Sequence, residues 1–324
     1  MLNQLLSIRE LDRESLLLIL ENADKFCEIS ERRLKKVPAL RGKSVINLFL
    51  EPSTRTRTSF EIAGKRLSAD TINISGSSSS VSKGESLLDT AKTIEAMRPD
   101  ILVVRHNAAG AAHFLQKALP HIAVVNAGDG MHEHPTQALL DCLTIKQHFE
   151  TSGRKTEQLT IGIIGDILHS RVARSNVWAH LKLGNEVRLI GPPTLVPKEF
   201  KSIGTEGPGS VEVFHNRDKG LEGCDVVMAL RIQRERQAGL YLSSLEEYYR
   251  EFGISKGVLD RCAPDAALMH PGPVNRGVEI SSELVYSDRS LIQQQVENGV
   301  AVRMAVLYLL SAARGESFIE MAES

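Results

Sequence analysis

The sequence predicts an α/β protein of two doubly wound parallel-sheet domains, with the active site in the cleft between them. Its length of 324 residues corresponds to two domains of about 150 residues each. Buried strand patterns alternate with helical patterns along most of the chain, which is typical of parallel βαβ units with right-handed crossovers. A polar segment at 150–158 (ETSGRKTEQ) interrupts the alternation and is the best linker candidate by composition.

Before this linker, four β-rich segments are separated by helical ones. Helices are expected from about Thr54, over 85–97 and over 135–149. The four predicted strands are 44–50, 71–74, 101–104 and 122–125.

After the linker the alternation restarts, and a long helical pattern covers 291–313. We therefore predict a first domain at 1–150 and a second at 151–290, with the carboxyl-terminal segment 291–324 packing back on the first. The five strands predicted for the second domain are 159–164, 186–190, 211–214, 225–230 and 266–269.

The composition excludes several classes of protein. Lys and Arg number 39 against 40 Asp and Glu, whereas a dedicated nucleic-acid binder usually carries a basic excess over a whole face. A hydrophobic fraction of 42% at this low net charge argues against disorder. The four cysteines include no C-x-x-C pair and are too sparse for a disulfide scaffold. Without a signal-peptide layout or an apolar run of about 18 residues, the expected location is the cytosol, with no membrane partner.

The segment Glu51–Thr58 (EPSTRTRT) directly follows the first predicted strand and opens a helix. Ligands of open parallel sheets bind outside the carboxyl ends of the strands. A helix N-terminus offers a phosphate free N–H groups and the positive end of the dipole, and Arg55 can add a bidentate pair. The alternative interpretation is an ordinary helix cap followed by solvated arginines.

Three further polar segments occur before the linker. Ser77–Glu85 is rich in hydroxyls but lacks the Walker A pattern, so it predicts either a ligand loop or a flexible surface loop. Arg105 and His106 close a strand, where a cation suits an anionic ligand. His134 precedes a helix, where a neutral imidazole can donate to a carbonyl. Metal binding by His132 and His134 is disfavoured, because i,i+2 residues diverge on a helix and no cysteine or carboxylate cluster supports them.

The second half contains three comparable segments. Gly162–Asp166 (GIIGD) follows a strand, but G-x-G-x-x-G is not present, so NAD binding is a weak hypothesis. Arg231–Arg236 (RIQRER) follows another strand, and His270–Gly277 (HPGPVNRG) is typical of a rigid turn. Each could be purely structural. Taken together, cationic and hydroxyl-rich segments at strand ends in both halves indicate a site for a phosphate and further anionic groups.

The order of these motifs along the chain matches a known family. STRTR at Ser53–Arg57, KGE at Lys83–Glu85, Arg105, HPTQ at His134–Gln137 and the HPGP turn span nearly the whole sequence. In this combination the chain resembles the aspartate/ornithine carbamoyltransferase family. RIQxER and HPGPVNRG are similar to the catalytic subunit of the aspartate-accepting type. The Asp-x-Trp-x-Ser-Met-Gly and His-Cys-Leu-Pro segments expected of the ornithine type do not occur in the sequence.

The resemblance implies a cytoplasmic transferase of pyrimidine (UMP) biosynthesis that uses neither a cofactor nor a metal. Such an enzyme passes the carbamoyl group of carbamoyl phosphate to the amino group of L-aspartate, giving N-carbamoyl-L-aspartate and phosphate. The catalytic residues implied are Arg55, Thr56, Arg105 and His134. The residues implied to bind carbamoyl phosphate are Ser53, Thr54, Arg55, Thr56, Ser79, Lys83, Arg105, His134, Gln137, Pro271 and Gly272.

The same resemblance implies a separate set of residues for the acceptor and for assembly. Glu51 would bridge to Arg171 and Arg236 across the domains and steady a closed form. Ser79 and Lys83 would enter the active site of a neighbouring subunit, which implies a homotrimer with shared sites. The residues implied to bind aspartate, a dicarboxylate that needs cations, are Lys83, Arg171, Arg231 and Gln233.

Three alternatives remain open on the sequence alone. The nearest is a carbamoyltransferase for ornithine or a related amine. An NAD-dependent oxidoreductase is suggested only by Gly162–Asp166, and a catalytically inactive homologue could serve as an assembly scaffold. Regulatory chains or a dihydroorotase in a larger assembly are further partners that the sequence leaves open.

Overall fold

The structure is a computed structural model that describes residues 2–76, 84–154, 156–233 and 244–322, without the side chains of residues 205 and 314–322. The chain divides into two compact units, one of residues 1–143 with 297–324 and one of residues 144–296. Over the described residues these units contain nine strands and ten α-helices.

The first unit is built on a four-stranded parallel sheet with the order β2-β1-β3-β4. Its strands are β1 (Ser44–Phe49), β2 (Asp70–Ser75), β3 (Ile101–His106) and β4 (Ala123–Asp129). Its helices are α1 (Arg13–Glu31), α2 (Thr54–Arg66), α3 (Leu87–Ala96), α4 (Ala111–Ala118), the beginning of α5 (Pro135–Thr151) and most of α10 (Ile292–Ala322).

The interior of this sheet is apolar because helices cover its strands, as parallel sheets require. β4 is buried along its whole length, and β1 and β3 are buried at all but one residue each. By contrast β2 is an exposed edge strand, and Ile72 on it is 51% exposed. The residues of one core cluster come from β1, β3 and β4 with α3 and α4, and include Ile46, Leu48, Ala91, Ile94, Leu102, Val104, Leu115 and Val124.

The second unit has a five-stranded parallel sheet with the order β7-β6-β5-β8-β9. Its strands are β5 (Thr160–Ile164), β6 (Glu186–Ile190), β7 (Ser210–Phe214), β8 (Val226–Ala229) and β9 (Ala267–Met269). Its helices are the end of α5, α6 (Arg171–Leu183), α7 (Arg217–Leu221), α8 (Leu245–Phe252), α9 (Lys256–Cys262) and the start of α10, with 3₁₀ helices at Lys198–Thr205 and Ser282–Leu284.

The nine strands predicted from the sequence are confirmed, and the sequence underestimated β4. It continues to Asp129 although Asn126 and Gly128 carry no strand signal. The buried Asn126 side chain satisfies this polar end, since its Nδ2 donates to Leu6 O (2.8 Å) and its Oδ1 accepts from Gly128 N (2.8 Å). The helix α1 was not predicted, although the Asp12 carboxylate caps it by accepting from Ser15 N at 2.6 Å.

The expectation that the chain has no apolar segment long enough to span a membrane is wrong for one part of α10. Residues Ile292–Ala313 are long and apolar enough to cross a membrane, with a mean hydropathy of 1.3. However, 61% of that window is buried inside the folded chain, as in the core helix of a soluble protein.

Candidate active site

Three predicted segments of the first unit lie at one edge of its sheet. β1, β3 and β4 are parallel neighbours, and a backbone hydrogen bond from Leu50 N to Arg105 O (2.9 Å) aligns the ends of β1 and β3. Ser53–Thr56 follows β1, Arg105 lies near the end of β3, and His134 follows β4. The fold therefore brings the predicted phosphate segment, a cation and a histidine to the carboxyl edge of one sheet, where ligands of such sheets bind.

The N-terminus of α2 has a serine that does not serve as a side-chain cap. Ser53 has an extended backbone (φ −161°, ψ 105°), and its side chain makes no capping hydrogen bond. Thr54 and Arg55 are exposed, whereas Thr56 is buried. The first N–H groups of a helix lack intrahelical acceptors and carry the positive end of its dipole. This terminus can therefore offer an oxyanion several N–H groups, hydroxyls and a guanidinium.

The guanidinium of Arg105 is held by two oxygens of the same unit. Its Nη1 donates to Ala127 O at 3.1 Å, and its Nη2 pairs with Glu51 Oε1 at 3.0 Å. The side chains of Arg105 and Glu51 are only 10% and 19% exposed, so solvent screens the pair weakly. The sequence assigned Glu51 to a bridge between domains. In the structure its carboxylate orients Arg105, a residue predicted to bind the phosphate. The bridge from Glu51 to Arg171 and Arg236 stays a prediction.

His134 lies at the start of α5 and is 5% exposed. Its carbonyl oxygen accepts from Gln137 N at 2.9 Å, and Pro135 occupies the first helical position, where its missing N–H costs nothing. An imidazole in this position can donate a hydrogen bond to a carbonyl oxygen. Gln137 donates its Nε2 to Asp141 Oδ1 at 3.0 Å, which leaves its amide oxygen as the end suited to accept a hydrogen bond.

The structure corrects the sequence argument about His132. The sequence indicated no carboxylate cluster near this histidine, but the Asp129 carboxylate lies 3.1 Å from His132 Nδ1. His113 of α4 is also close, with its ring centroid 5.5 Å from that of His132. The sequence could not indicate His113 as a neighbour of His132, because the proximity of α4 to the end of β4 is a tertiary contact.

In the second unit, a sharp turn joins β5 to α6. Gly165 has φ +135°, and a Cβ there would lie 2.8 Å from Leu230 O, so no other residue fits. The buried carboxylate of Asp166 follows, and its Oδ1 lies 2.8 Å from His169 Nδ1. Arg171, the first residue of α6, is 4% exposed. The segment that faintly resembled a dinucleotide motif therefore carries a buried Asp–His pair.

Two buried carboxylates hold the segment that follows β8. Asp166 Oδ2 accepts from Gln233 N at 3.2 Å, and Glu279 Oε1 accepts from Ile232 N at 3.1 Å. Arg231 Nη2 lies 3.3 Å from Gln233 Oε1, so these two predicted acceptor ligands contact each other. The segment is part of a loop, and these carboxylates fix its backbone.

Glu279 also fixes the turn after β9. Its Oε2 accepts from Asn275 N and its Oε1 from Asn275 Nδ2, both at 2.9 Å. Burial raises the pKa of Glu279 above its usual value, although the three hydrogen bonds favour the charged form. At the other end of the turn, His270 Nδ1 accepts from Gly272 N at 2.8 Å. Through one carboxylate, the turn with Pro271 and Gly272 is tied to the segment with Arg231 and Gln233.

Three of the predicted site residues, Ser79, Lys83 and Arg236, lie outside the described residues. Conversely, Asp166 and Glu279 were not predicted from the sequence as site residues. Asp166 stands directly after a strand with a glycine before it, a signal that had been weighed only as a nucleotide motif. Glu279 has no local signal, because its function as a tie depends on folding, which brings Ile232 to the turn that contains Asn275.

Family models match both parts of the chain. The model described as the carbamoyl-P binding domain of aspartate/ornithine carbamoyltransferase matches residues 3–147, and the one described as its Asp/Orn binding domain matches residues 157–310. A relative from Magnetococcus marinus, called aspartate carbamoyltransferase catalytic subunit, is 52% identical over 99% of this chain and 96% of its own. Seven more relatives with that name are 52–55% identical.

Solved structures agree with these matches. The aspartate transcarbamoylase of Trypanosoma cruzi in complex with N-(phosphonacetyl)-L-aspartic acid has a TM-score of 0.83 and 28% identity, covering 94% of this chain and 95% of that one. The ornithine carbamoyltransferase of Pyrococcus furiosus has a TM-score of 0.82, also at 28% identity, covering 95% and 96%. On its sequence matches and on its fold, the chain belongs to the aspartate/ornithine carbamoyltransferase family.

Proposed function

We propose that this chain transfers the carbamoyl group of carbamoyl phosphate to the amino group of L-aspartate, forming N-carbamoyl-L-aspartate and phosphate in pyrimidine (UMP) biosynthesis. The observation that carries the proposal is the N-terminus of α2, where the Ser53 side chain makes no capping bond. A serine in that position is free to donate to a phosphate oxygen, together with the helix N–H groups. The nearby carboxyl end of β3 supplies the cation Arg105.

In the proposed reaction the aspartate amine attacks the carbonyl carbon of carbamoyl phosphate. A C–N bond forms, the carbonyl oxygen gains negative charge, and the tetrahedral intermediate collapses with cleavage of the C–O bond to phosphate. The amine proton leaves with the phosphate, so no dedicated general base is needed. Thr56, Arg105 and His134 would stabilise the oxyanion, so that catalysis would consist mainly of positioning and electrostatic preorganisation.

Carbamoyl phosphate would compete with Glu51 for the guanidinium of Arg105. In the structure the carboxylate already occupies Nη2, at 3.0 Å. A phosphate dianion offers a stronger charge-assisted partner than a single carboxylate oxygen. Glu51 would thus hold the cation in position before the substrate arrives and keep its charge compensated, while Gln137 and the Pro271 and Gly272 carbonyls would accept from the carbamoyl NH₂ group.

The second unit would bind the acceptor through Arg171, Arg231 and Gln233, with Lys83. Two carboxylates of aspartate need several cations, whereas the amine-bearing side chain of ornithine would be repelled by them. The names of the relatives at 52–55% identity support aspartate. The fold is shared with an ornithine enzyme, so the fold by itself does not choose between the acceptors.

The decisive experiment incubates the purified chain with carbamoyl phosphate and either L-aspartate or L-ornithine. We expect N-carbamoyl-L-aspartate with aspartate and no citrulline with ornithine. An Arg231→Ala variant should lose the reaction with aspartate, and an exposed-site variant, Arg250→Ala, serves as the matched control. Citrulline as the main product would move the chain to the ornithine type, and no product with either acceptor would support the scaffold hypothesis.

We further propose a cytoplasmic homotrimer in which Ser79 and Lys83 complete the site of the neighbouring subunit, with residues 1–150 binding carbamoyl phosphate and 151–290 binding aspartate. The exposed edge strand β2, which precedes the segment containing Ser79 and Lys83 in the sequence, supports this proposal. Mixing inactive Lys83→Ala and Arg55→Ala proteins and allowing subunit exchange should restore part of the activity. If labelled subunits exchange and the mixture stays inactive, sharing of sites is ruled out.

A further inference from the structure

Three side chains of the first unit that the proposed reaction does not use form a cluster of nitrogen and oxygen donors. His113 lies on α4, Asp129 ends β4, and His132 lies in the connection between β4 and α5. One potential ligand atom from each lies within 4.8 Å of the other two. We call these residues the His113–Asp129–His132 cluster.

The members of the cluster already contact one another. His132 Nδ1 is 3.2 Å from Asp129 Oδ1 and 3.1 Å from Asp129 Oδ2. The rings of His113 and His132 meet edge to face, with an interplanar angle of 67°. Because zinc bonds are about 2.0–2.2 Å long, the ligand atoms of a tetrahedral site lie roughly 3.4 Å apart. The ligand atoms of this cluster lie within 4.8 Å of one another, so the distance between any two has to shorten by little more than about 1 Å.

The cluster combines a fixed ligand with two adjustable ones. Asp129 is 1% exposed, and its carboxylate accepts from Asn126 Nδ2 (2.8 Å), Gly110 N (2.7 Å) and Glu133 N (3.1 Å). The imidazoles of His113 and His132 are 27% and 38% exposed, so they can rotate towards an ion entering from solvent.

A second carboxylate orients one of the histidines. Glu10 Oε1 lies 3.0 Å from His113 Nε2. Histidines that bind metals usually have such a partner on the other ring nitrogen, which fixes the tautomer and the ring orientation. Together with the bonds to Asp129, this contact gives the cluster an outer shell as well as a set of ligands.

We propose that the His113–Asp129–His132 cluster binds a divalent transition-metal ion of the Zn²⁺ class, with water completing the coordination. Two imidazoles and one carboxylate suit Zn²⁺, Co²⁺ or Ni²⁺, whereas Mg²⁺ and Ca²⁺ prefer all-oxygen sites. The ion would link α4 to the end of β4 and to the connection that carries His134. It would reinforce that connection and take no part in the proposed carbamoyl transfer.

The test is isothermal titration of the metal-free chain with ZnCl₂, without substrates, so its result is independent of the proposed function. We expect one saturable site, at least about tenfold weaker in His113→Gln and in His132→Gln, and no binding of MgCl₂. His121→Gln is the matched control, because this exposed histidine precedes β4, and the strand from Ala123 to Asp129 alone spans about 20 Å at 3.3 Å per residue.

Cysteine thiols also bind zinc, so the titration is repeated in a Cys27→Ser background, which removes the one half-buried cysteine. The proposal predicts unchanged affinity in that background. It is overturned if the wild-type chain shows no saturable Zn²⁺ binding. It is equally overturned if both histidine variants, shown to be folded by their thermal transitions, bind as tightly as His121→Gln.

Discussion

The helices α2 and α6 occupy equivalent positions, each following an inner strand of its sheet, yet their N-cap serines are used differently. Ser170 caps α6 by accepting from Ala173 N at 3.1 Å. Ser53, at the same position of α2, makes no such bond. A cap hydrogen bond typically contributes about 1 kcal/mol to stability. The helix that forgoes it is the one proposed to bind the phosphate, where the Ser53 hydroxyl would donate to a phosphate oxygen.

The predicted sites of the two units also differ in how their side chains are held in place. In the first unit the side chains predicted to form the site lie on strand and helix ends, which the buried sheet holds in place. In the second unit Arg231 and Gln233 lie on a loop, and the loop depends on the buried carboxylates of Asp166 and Glu279. The first site is therefore expected to fail through lost chemistry, and the second through lost positioning.

The largest effect should come from His134→Ala in the first site. Removing one donor to a developing oxyanion usually lowers kcat by about 10²–10³, and we expect a loss on that scale. Steady-state kinetics of this variant beside His121→Ala, a change at an exposed histidine, measures it. A raised KM at unchanged kcat would contradict the assigned role.

Glu279→Gln should act on the second site through positioning. The amide keeps the shape but turns a donor towards an N–H group of Ile232 or Asn275. Hydrogen bonds to a charged group contribute about 1.5–3 kcal/mol, so the KM for aspartate should rise roughly 10–100-fold. The KM for carbamoyl phosphate should change much less. Glu283→Gln, at an exposed position nearby, is the control. Equal changes in both KM values would show general damage to the fold.

Substituting Ser53 and Ser170 one at a time tests the comparison of α2 with α6 most directly. Ser170→Ala should lower the free energy of unfolding by about 1 kcal/mol, and Ser53→Ala by only a few tenths, because Ser53 makes no cap bond. In turn, Ser53→Ala should raise the KM for carbamoyl phosphate about tenfold through the lost bond to a charged oxygen. Urea unfolding gives the free energy of unfolding of each variant, and steady-state kinetics gives its KM for carbamoyl phosphate. If Ser53→Ala lowered the free energy of unfolding as much as Ser170→Ala does, the proposed difference between the two serines would be contradicted.

The smallest effect concerns pH. Burial raises the pKa of Glu279 in the folded chain, so between its unfolded pKa of about 4.3 and its folded pKa the folded state binds more protons. Stability from this group is thus complete below pH 4 and is lost as the pH rises through the folded pKa. We expect the unfolding free energy of Glu279→Gln, relative to wild type, to increase over that window. An unchanged difference from pH 4 to 7 would contradict the raised pKa.

The sequence alone predicted much of the architecture. All nine strands were found, most of them because buried parallel strands are short apolar runs followed by glycine or polar residues. The exposed strand β2 was found because residues 71–74 are β-rich. The polar residues at the ends of these strands were harder to predict. Asn126 and Asp129 extend β4 because folding supplies partners for their side chains. Ligand segments such as STRTR were recognisable because they are contiguous and directly follow strands.

The sequence by itself determined the fold class, the family and the residues that local motifs carry, since each depends on order along the chain. The tertiary structure decided which of these side chains are held in place and which residues hold them. Glu51 lies against Arg105, Glu279 joins two distant segments, and His113 lies close to Asp129. These assignments depend on distances between residues far apart in the chain, and such distances are set only when the sheets and helices pack.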